Sequence, residues 1–307
     1  MAKLTATEWI WHEGTFVKWD DAQIHLLAHS MQFGSAVFEG VRAYQTSKGP
    51  AIFRLREHLK RLFDSCKIYR MPMHWTADQI FEATRETVRR NDPGSCYIRP
   101  MVLRGYGAAG MVPFDSPVET YIPCWPWTDY LGAKALEEGI DARISSWHRV
   151  APNTTPAIAK IAGNYLNGQL IKMEALADGY HEAIALGVDG MISEGSGQNA
   201  FVVANGTLYT PPIDGTLLPG ITRSSVIQIA ADLNIPVKVE PIAREVLHTC
   251  DEVFLCGTAT EVAPVRSVDR IPVGDGTVGP ITRAIQTRYL DYINGRVEDV
   301  HGWLTHC

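Results

Sequence analysis

The chain has 307 residues, 46% hydrophobic and 20% charged, so it can bury a large core and is long enough to favour two domains. A net charge of −6 with no run of like charges excludes an electrostatic nucleic-acid binder, which needs a basic face to neutralise phosphates. The start lacks a basic stretch followed by an apolar run, and no apolar segment is long enough to cross a bilayer; a cytosolic (cytoplasmic) protein that uses small molecules and no membrane is the expectation.

Along the first half, short strands alternate with helices. In FRLREHLKRLFDSCKIYR the residues Leu55, Leu59, Leu62, Phe63 and Cys66 fall on one helical stripe and predict a core-packed helix. A second helix opens at Thr76, whose hydroxyl caps it while Gln79 returns the bond, and runs to the breaker Pro93-Gly94. CYIRPMVLR then reads as one strand with Tyr97, Arg99, Met101 and Leu103 on a single face. The rigid aromatic stretch from Pro123 through Trp127 to Gly132 marks the domain boundary. Beyond it, a helix spans about Asn164 to Asp178 and stops at Gly179. Strands joined by tight turns at Asp189-Gly190 and Asn205-Gly206 come next, and a further helix starts after Pro219-Gly220. The six cysteines, Cys66, Cys96, Cys124, Cys250, Cys256 and Cys307, show neither zinc spacing nor the density of a disulfide scaffold and read as buried, reduced thiols.

Lys160 stands out among the lysines because small apolar residues flank it on both sides, in Ala157-Ile158-Ala159-Lys160-Ile161-Ala162-Gly163. Burial of its amine disfavours the ammonium form, which is what an amine needs to attack an aldehyde. The alternative is a strand lysine that snorkels to solvent. Glu194 opens Glu-Gly-Ser-Gly-Gln-Asn, where glycines allow close backbone approach and a carboxylate can pair with a pyridinium nitrogen; an ordinary turn carboxylate is the plainer alternative. Two segments have the form of phosphate cradles. Leu218-Pro219-Gly220-Ile221-Thr222-Arg223 presents the helix N-terminal amides of Ile221 and Thr222, and Cys256-Gly257-Thr258-Ala259-Thr260-Glu261 offers a small-residue turn with hydroxyls. Each alone is equally simple capping, but with a buried lysine they match the needs of a phosphorylated aldehyde cofactor.

The joint order of Phe38-Glu39-Gly40-Val41-Arg42, Tyr97-Ile98-Arg99-Pro100, Ser146-Trp147 to Lys160, Gly163-Asn164-Tyr165, Glu194-Gly195-x-Gly197-x-Asn199, Leu218 to Arg223 and Gly257-Thr258-Ala259 closely resembles the branched-chain amino acid aminotransferases of the class IV (fold type IV) pyridoxal-phosphate enzymes. The resemblance covers nearly the whole chain. It implies a mixed α/β (α+β) two-domain fold of the D-amino acid aminotransferase-like kind: a small N-terminal domain over 1–126, an interdomain loop over 127–137 and a large C-terminal domain over 138–307. It implies pyridoxal 5'-phosphate as cofactor, with Lys160 holding it covalently, Glu194 at the pyridine nitrogen, Tyr165 near O3′, and Arg61, Ile221, Thr222 and Thr258 around the phosphate. On the substrate side it implies pocket walls from Phe38, Tyr97, Trp127, Tyr130 and Met111, with Arg99 receiving the distal carboxylate of glutamate. Thr258 and Ala259 would bind the α-carboxylate. The residue matching Phe33 is often a tyrosine reaching in from a neighbouring subunit, so at least a homodimer, and often a homohexamer built of dimers, is implied. The implied reaction is transamination between leucine, isoleucine or valine and 2-oxoglutarate, giving branched 2-oxo acids and L-glutamate.

Rival readings are weaker. Gly105-Tyr106-Gly107-Ala108-Ala109-Gly110 fits a dinucleotide fingerprint, but the segment from Met111 to Pro117 has two prolines and no helical period. His25 and His29 lie four apart with no third ligand near, so no metal site is expected. A non-catalytic binding protein would need no lysine poised for carbonyl chemistry. Within the resembled fold, a D-amino acid aminotransferase, an aminodeoxychorismate lyase and an (R)-amine transaminase of broadened range remain the alternatives.

Overall fold

The computed structural model describes residues 4–127 and 132–307 and divides the chain into two compact units. The first comprises Met1–Thr128, Ala159–Gly163 and Tyr292–Cys307, and the second Asp129–Ile158 and Asn164–Asp291. This differs from a single cut along the chain, because two later segments belong to the first unit. The physical reason is backbone pairing: Ile161 bridges Val37, and the C-terminal strand pairs with a strand near residue 52.

In the first unit the elements are β1 (Trp9–His12), β2 (Thr15–Lys18), α1 (His29–Phe33), β3 (Ala36–Phe38), β4 (Val41–Thr46), β5 (Gly49–Phe53), α2 (Leu55–Ile68), α3 (Ala77–Asn91), β6 (Cys96–Ile98), β7 (Met101–Arg104), β8 (Val118–Ile122) and β9 (Cys124–Pro126). Helix α2 buries Leu55, Leu59, Leu62 and Cys66, while Phe63 packs only partly against that core. His58 and Ser65 share the buried face. Helix α3 carries the expected capping box, with Thr76 and Gln79 exchanging bonds of 2.8 and 3.2 Å.

The stretch 96–104 is two strands rather than one. β7 joins the sheet β2-β1-β8-β7-β3, whereas β6 joins a second sheet of β5, β4, β6 and β9, extended by the C-terminal strand. The break falls at Arg99-Pro100, where proline supplies no ladder N–H. β3 gives way to β4 at Glu39-Gly40, and β8 to β9 at Pro123, so three chain segments change sheets at one corner. The Glu39 N–H donates to the Pro100 carbonyl (2.8 Å) and the Arg99 N–H to the Pro123 carbonyl (2.9 Å). Gly40 is required there: a Cβ would stand 1.9 Å from the Tyr97 hydroxyl.

The second unit contains α4 (Ala133–Glu138), β10 (Ile140–Ile144), α5 (Tyr165–Ala177), β11 (Glu182–Leu186), β12 (Ile192–Gly195), β13 (Asn199–Ala204), β14 (Thr207–Thr210), α6 (Ile221–Asp232), β15 (Val237–Val239), β16 (Glu252–Gly257), β17 (Glu261–Val268), β18 (Ile271–Pro272) and α7 (Pro280–Ile293). The last strand, β19 (Leu304–His306), pairs with β5 of the first unit. In the second unit, β12-β11-β10-β17-β16-β13 follow one another, and β13 also pairs with β12, which closes the ring. The closing pair is Glu194 with Asn199. β10 runs parallel to both β11 and β17 and the remaining ring pairs are antiparallel, a mixed α/β arrangement as the resemblance implied. Apolar side chains of β10, β11, β13, β16 and β17 form the core of this unit.

Asn205 and Gly206 both have positive φ (49° and 73°), the geometry that suits a two-residue hairpin between β13 and β14. In the other predicted turn only Gly190 has positive φ (81°), and the longer connection is tied by the Met191 N–H donating to Asp189. Five of the six cysteines are buried, and burial pushes the Cys66 thiol up to about 12 and the Cys250 thiol up to about 11.

Candidate active site

The first unit assembles its polar residues at the sheet-changing corner. Lys160 lies in an irregular stretch, not a strand, and its backbone is clamped on both sides: its N–H donates to Ser65 Oγ (3.0 Å) and its carbonyl accepts from the Phe38 N–H (3.0 Å). Lys160 is half-buried rather than buried, while its neighbours Ala159 and Ile161 are 1% and 4% exposed. The amine Nζ sits 5.0 Å from the centre of the Phe38 ring.

Arg99 shares that ring. Its guanidinium lies 4.8 Å from Phe38, 5.1 Å from Tyr97 and 5.8 Å from Trp125, so three aromatic faces hold it. Arg99 Nε is buried without a hydrogen-bond partner among the described residues. Tyr97 is packed between Trp125 (5.2 Å) and Trp127 (5.1 Å). Phe38, Tyr97, Arg99, Trp127 and Lys160 are therefore brought together, while Tyr130 lies outside the described residues. Phe33 and Met111 stand on exposed surface, at 43% and 78%.

Beside Phe38, Glu39 is fully buried and receives a two-pronged bond from Arg61, Nε to Oε1 at 2.7 Å and Nη2 to Oε2 at 2.8 Å. His58 Nδ1 meets Oε2 at 2.7 Å. Burial alone would raise the Glu39 carboxyl, but the Arg61 charge and its hydrogen bonds hold it well below the usual carboxylate range. Burial pushes His58 below its ordinary range, while the hydrogen bond and charge of Glu39 pull the other way. This network fixes the plane of the Arg61 guanidinium.

The second unit arranges a buried carboxylate beside a helix start. Glu194, 4% exposed, is paired through Oε1 with Arg149 Nη2 at 2.8 Å. Its Oε2 accepts from Asn199 Nδ2 (3.1 Å) and from the Leu218 N–H (3.3 Å). Asn199 also donates to the Leu218 carbonyl (2.9 Å), which ties the carboxylate to the segment leading into α6. That helix begins at Ile221 with Gly220 as N-cap and no side-chain cap, so the amides of Ile221 and Thr222 point along its axis where an anion is favoured. Arg223 in the same turn is 6% exposed and donates to Thr210 Oγ1 and the Pro211 carbonyl, placing a buried cation close by.

Thr258 and Ala259 occupy the turn between β16 and β17, which closes with Gly257 opposite Glu261, the latter at φ 59°. Asn199 pairs with Cys256 across the sheet, so this turn rises beside the Glu194 hairpin. Tyr165 begins α5, and Gly168 in that helix is so close to the 194–199 turn that a Cβ would meet the Ser196 carbonyl at 2.3 Å. Glu194, Ile221, Thr222, Thr258 and Ala259 thus cluster around one hairpin, with α5 packed on it. Gly195 serves the hairpin itself, since its Cβ position is filled by Gln198.

Sequence reasoning gave no role to Glu39, His58, Ser65, Trp125, Arg149 or Arg223. His58 and Ser65 had a signal, as polar residues on an otherwise apolar helical stripe. Arg149 had none, because its partner is 45 positions away.

One unit therefore offers a clamped amine, a cation on aromatic faces and an oriented guanidinium; the other offers a fixed carboxylate, a helix start suited to an anion and a hydroxyl-bearing turn. The family model described as amino-transferase class IV matches residues 36–268. The branched-chain-amino-acid aminotransferase of Escherichia coli K12 is 48% identical over 298 residues, covering 97% of this chain and 96% of that protein. A crystal structure of the E. coli enzyme superposes with a TM-score of 0.96 at 48% identity, covering 98% and 99% of the two chains. The T.th. branched-chain amino acid aminotransferase with pyridoxamine 5'-phosphate gives a TM-score of 0.95 at 44% identity over 99% of both chains. The same protein, solved in complex with N-(5'-phosphopyridoxyl)-L-glutamate and with 4-methylvaleric acid, gives 0.94 at 43% identity over 99% of both chains. With a family model over most of its length and near-complete coverage at this level of identity, the chain belongs to amino-transferase class IV, in the branched-chain-amino-acid aminotransferase family.

Proposed function

We propose that this chain is a branched-chain-amino-acid transaminase, exchanging the amino group of leucine, isoleucine or valine with 2-oxoglutarate to give the branched 2-oxo acid and L-glutamate. The observation that carries it is Arg99: a guanidinium resting on the rings of Phe38, Tyr97 and Trp125, with a buried Nε that has no hydrogen-bond partner among the described residues. A pocket with apolar walls accepts an aliphatic side chain, each buried methylene contributing roughly 0.8 kcal/mol. The same pocket accepts a second carboxylate when the guanidinium pairs with it. Relatives solved with a glutamate adduct and with a branched carboxylic acid support both halves of this reading.

The residues present fit pyridoxal 5'-phosphate. Glu194 is held as a carboxylate acceptor by Arg149, Asn199 and Leu218, α6 starts without a side-chain cap, and Glu39 fixes the Arg61 guanidinium. Pyridoxal phosphate supplies an aldehyde and a ring that withdraws electrons once its nitrogen is protonated. Lys160 would hold the cofactor through its aldehyde, and its amine would serve as the base and acid that moves the proton at the substrate Cα. Glu194 would receive the ring N–H, and Tyr165 would donate to O3′. For the phosphate, the candidate ligands are Ile221, Thr222 and Thr258 on the second unit and Arg61 on the first. On the substrate side, Phe38, Tyr97 and Trp127 of the first unit would face an aliphatic side chain, and the Thr258-Ala259 turn of the second would bind the α-carboxylate.

Self-association completes the reading, as a homodimer or a homohexamer built of dimers, in which the segments carrying Phe33 and Met111 pack on a neighbour. Supporting it, Leu26, Met31, Phe33, Met111, Val112 and Phe114 are all large, apolar and 43–78% exposed, more than an isolated surface ordinarily leaves bare. A cytoplasmic location accords with the absence, among the described residues, of any helix long and apolar enough to cross a membrane.

Lys160→Ala tests the chemistry: the visible absorbance of the bound cofactor and turnover should vanish together, and a variant with normal turnover overturns the assignment. Arg99→Ala should slow the glutamate half-reaction far more than the leucine half-reaction. Equal losses in both remove Arg99 from its dual role.

A further inference from the structure

We propose that Trp125 is a specificity-determining positioning residue, holding Arg99 in the retracted state that admits a branched side chain and so setting the balance between apolar and dicarboxylate ligands. This role rests on the reading of Arg99 as the receiver of the second carboxylate.

Trp125 is 9% exposed on β9, directly opposite Tyr97 of β6 in the ladder. The two rings stack at 5.2 Å and 28°. Trp125 therefore braces Tyr97, which also meets Trp127 at 5.1 Å. Its own face reaches the Arg99 guanidinium at 5.8 Å, completing a three-sided box with Tyr97 and Phe38. Indole presents the strongest ring face of the three types to a cation.

Two opposing effects act on Arg99. The aromatic faces hold the cation back, while the buried Nε–H, which has no acceptor among the described residues, favours any movement that brings it to an oxygen. A branched, uncharged side chain needs the retracted state, and a distal carboxylate needs the extended one. Weakening the box lowers the retracted state's share, and the ratio of affinities for the two ligand types shifts by the full factor whatever the starting populations. Because the Trp125 face lies near the outer limit of the interaction, its loss corresponds to a shift of roughly 2- to 5-fold.

The test uses the holoenzyme with Trp125→Phe and Trp125→Leu, titrated with 4-methylvalerate and with glutarate while the cofactor's visible absorbance is followed. Neither ligand carries an amino group, so binding is read without turnover. The expected result is a shift of the affinity ratio toward glutarate by roughly 2- to 5-fold in Trp125→Leu, with a smaller shift in Trp125→Phe. Equal changes for both ligands, or a shift toward 4-methylvalerate, overturn the proposal and leave Trp125 a structural residue. Arg99→Gln separates the two layers: if it leaves the ratio unchanged, the reading of Arg99 itself fails, whereas a lost glutarate preference with no effect at Trp125 refutes only the role of Trp125. If Trp125→Leu does not fold, Trp125→Phe retains the packing and decides the question.

Discussion

Gly220→Ala adds one methyl group at the point where the carboxylate and the helix start are tied together. Gly220 has φ −68°, so alanine meets no backbone strain there. Its Cβ would, however, stand 1.9 Å from Asn199 Oδ1 and 3.1 Å from Cγ, so the amide must move. Asn199 is 5% exposed and its Nδ2 holds both Glu194 and the Leu218 carbonyl, so displacement breaks a charge-assisted bond and a neutral one. Such bonds contribute about 1.5–3 and 0.5–1.5 kcal/mol, giving an expected loss of about 2–4 kcal/mol. Because Glu194 must be held in place to meet the ring nitrogen, the part of that loss restored on binding appears as a rise of up to roughly 30- to 1000-fold in the dissociation constant for pyridoxal phosphate. The assay is equilibrium reconstitution of the apoenzyme followed by cofactor absorbance, in Gly220→Ala, Asn199→Ala and the double variant. Because Asn199→Ala removes the obstructing atoms, the glycine change should be nearly neutral in that background. A wild-type dissociation constant in Gly220→Ala, or the same loss in both backgrounds, refutes the steric argument.

Acid stability should report the Glu39–His58–Arg61 network. Burial holds His58 below its ordinary 6.5, so the unfolded chain binds that proton first and stability falls as pH drops below 6.5. Glu39 is held below its ordinary 4.5, so its contribution is complete above 4.5 and is lost as pH falls further. Urea midpoints should be level above 6.5 as far as these two groups are concerned, and His58→Asn should abolish the first decline; a variant with an unchanged profile assigns that decline to other groups. Gly279→Ala should destabilise the second unit by about 3 kcal/mol or more, since a Cβ would lie 2.1 Å from Glu252 Cδ and expel the carboxylate that accepts from the Ile281 and Thr282 N–H groups at the start of α7. An unaltered thermal midpoint would show that the loop before α7 yields without disturbing Glu252.

The elements that sequence patterning predicted are those whose cause is local. The α2 stripe, the Thr76–Gln79 capping box, the Asn205-Gly206 turn and the start of α6 each depend on residues within a few positions of one another. The motifs that resemble class IV aminotransferases are similarly short, and they named Lys160, Glu194 and Arg99 as candidates without any knowledge of their surroundings. The strand through 96–104 was misread because alternation of side chains persists across Arg99-Pro100, and only the pairing partners reveal that the chain changes sheets there.

By itself the sequence determined the helices, the turns and the residue types that carry the chemistry, because propensity, periodicity and motif spacing act over a few residues. Tertiary structure alone decided what each group is held by: Arg61 on Glu39 across 22 positions, Arg149 on Glu194 across 45, Ser65 under the Lys160 backbone across 95, and Arg99 on a tryptophan of another strand. Charge strength and side-chain orientation depend on burial and on distances of a few ångströms, and those are fixed only when segments distant in sequence are packed against one another.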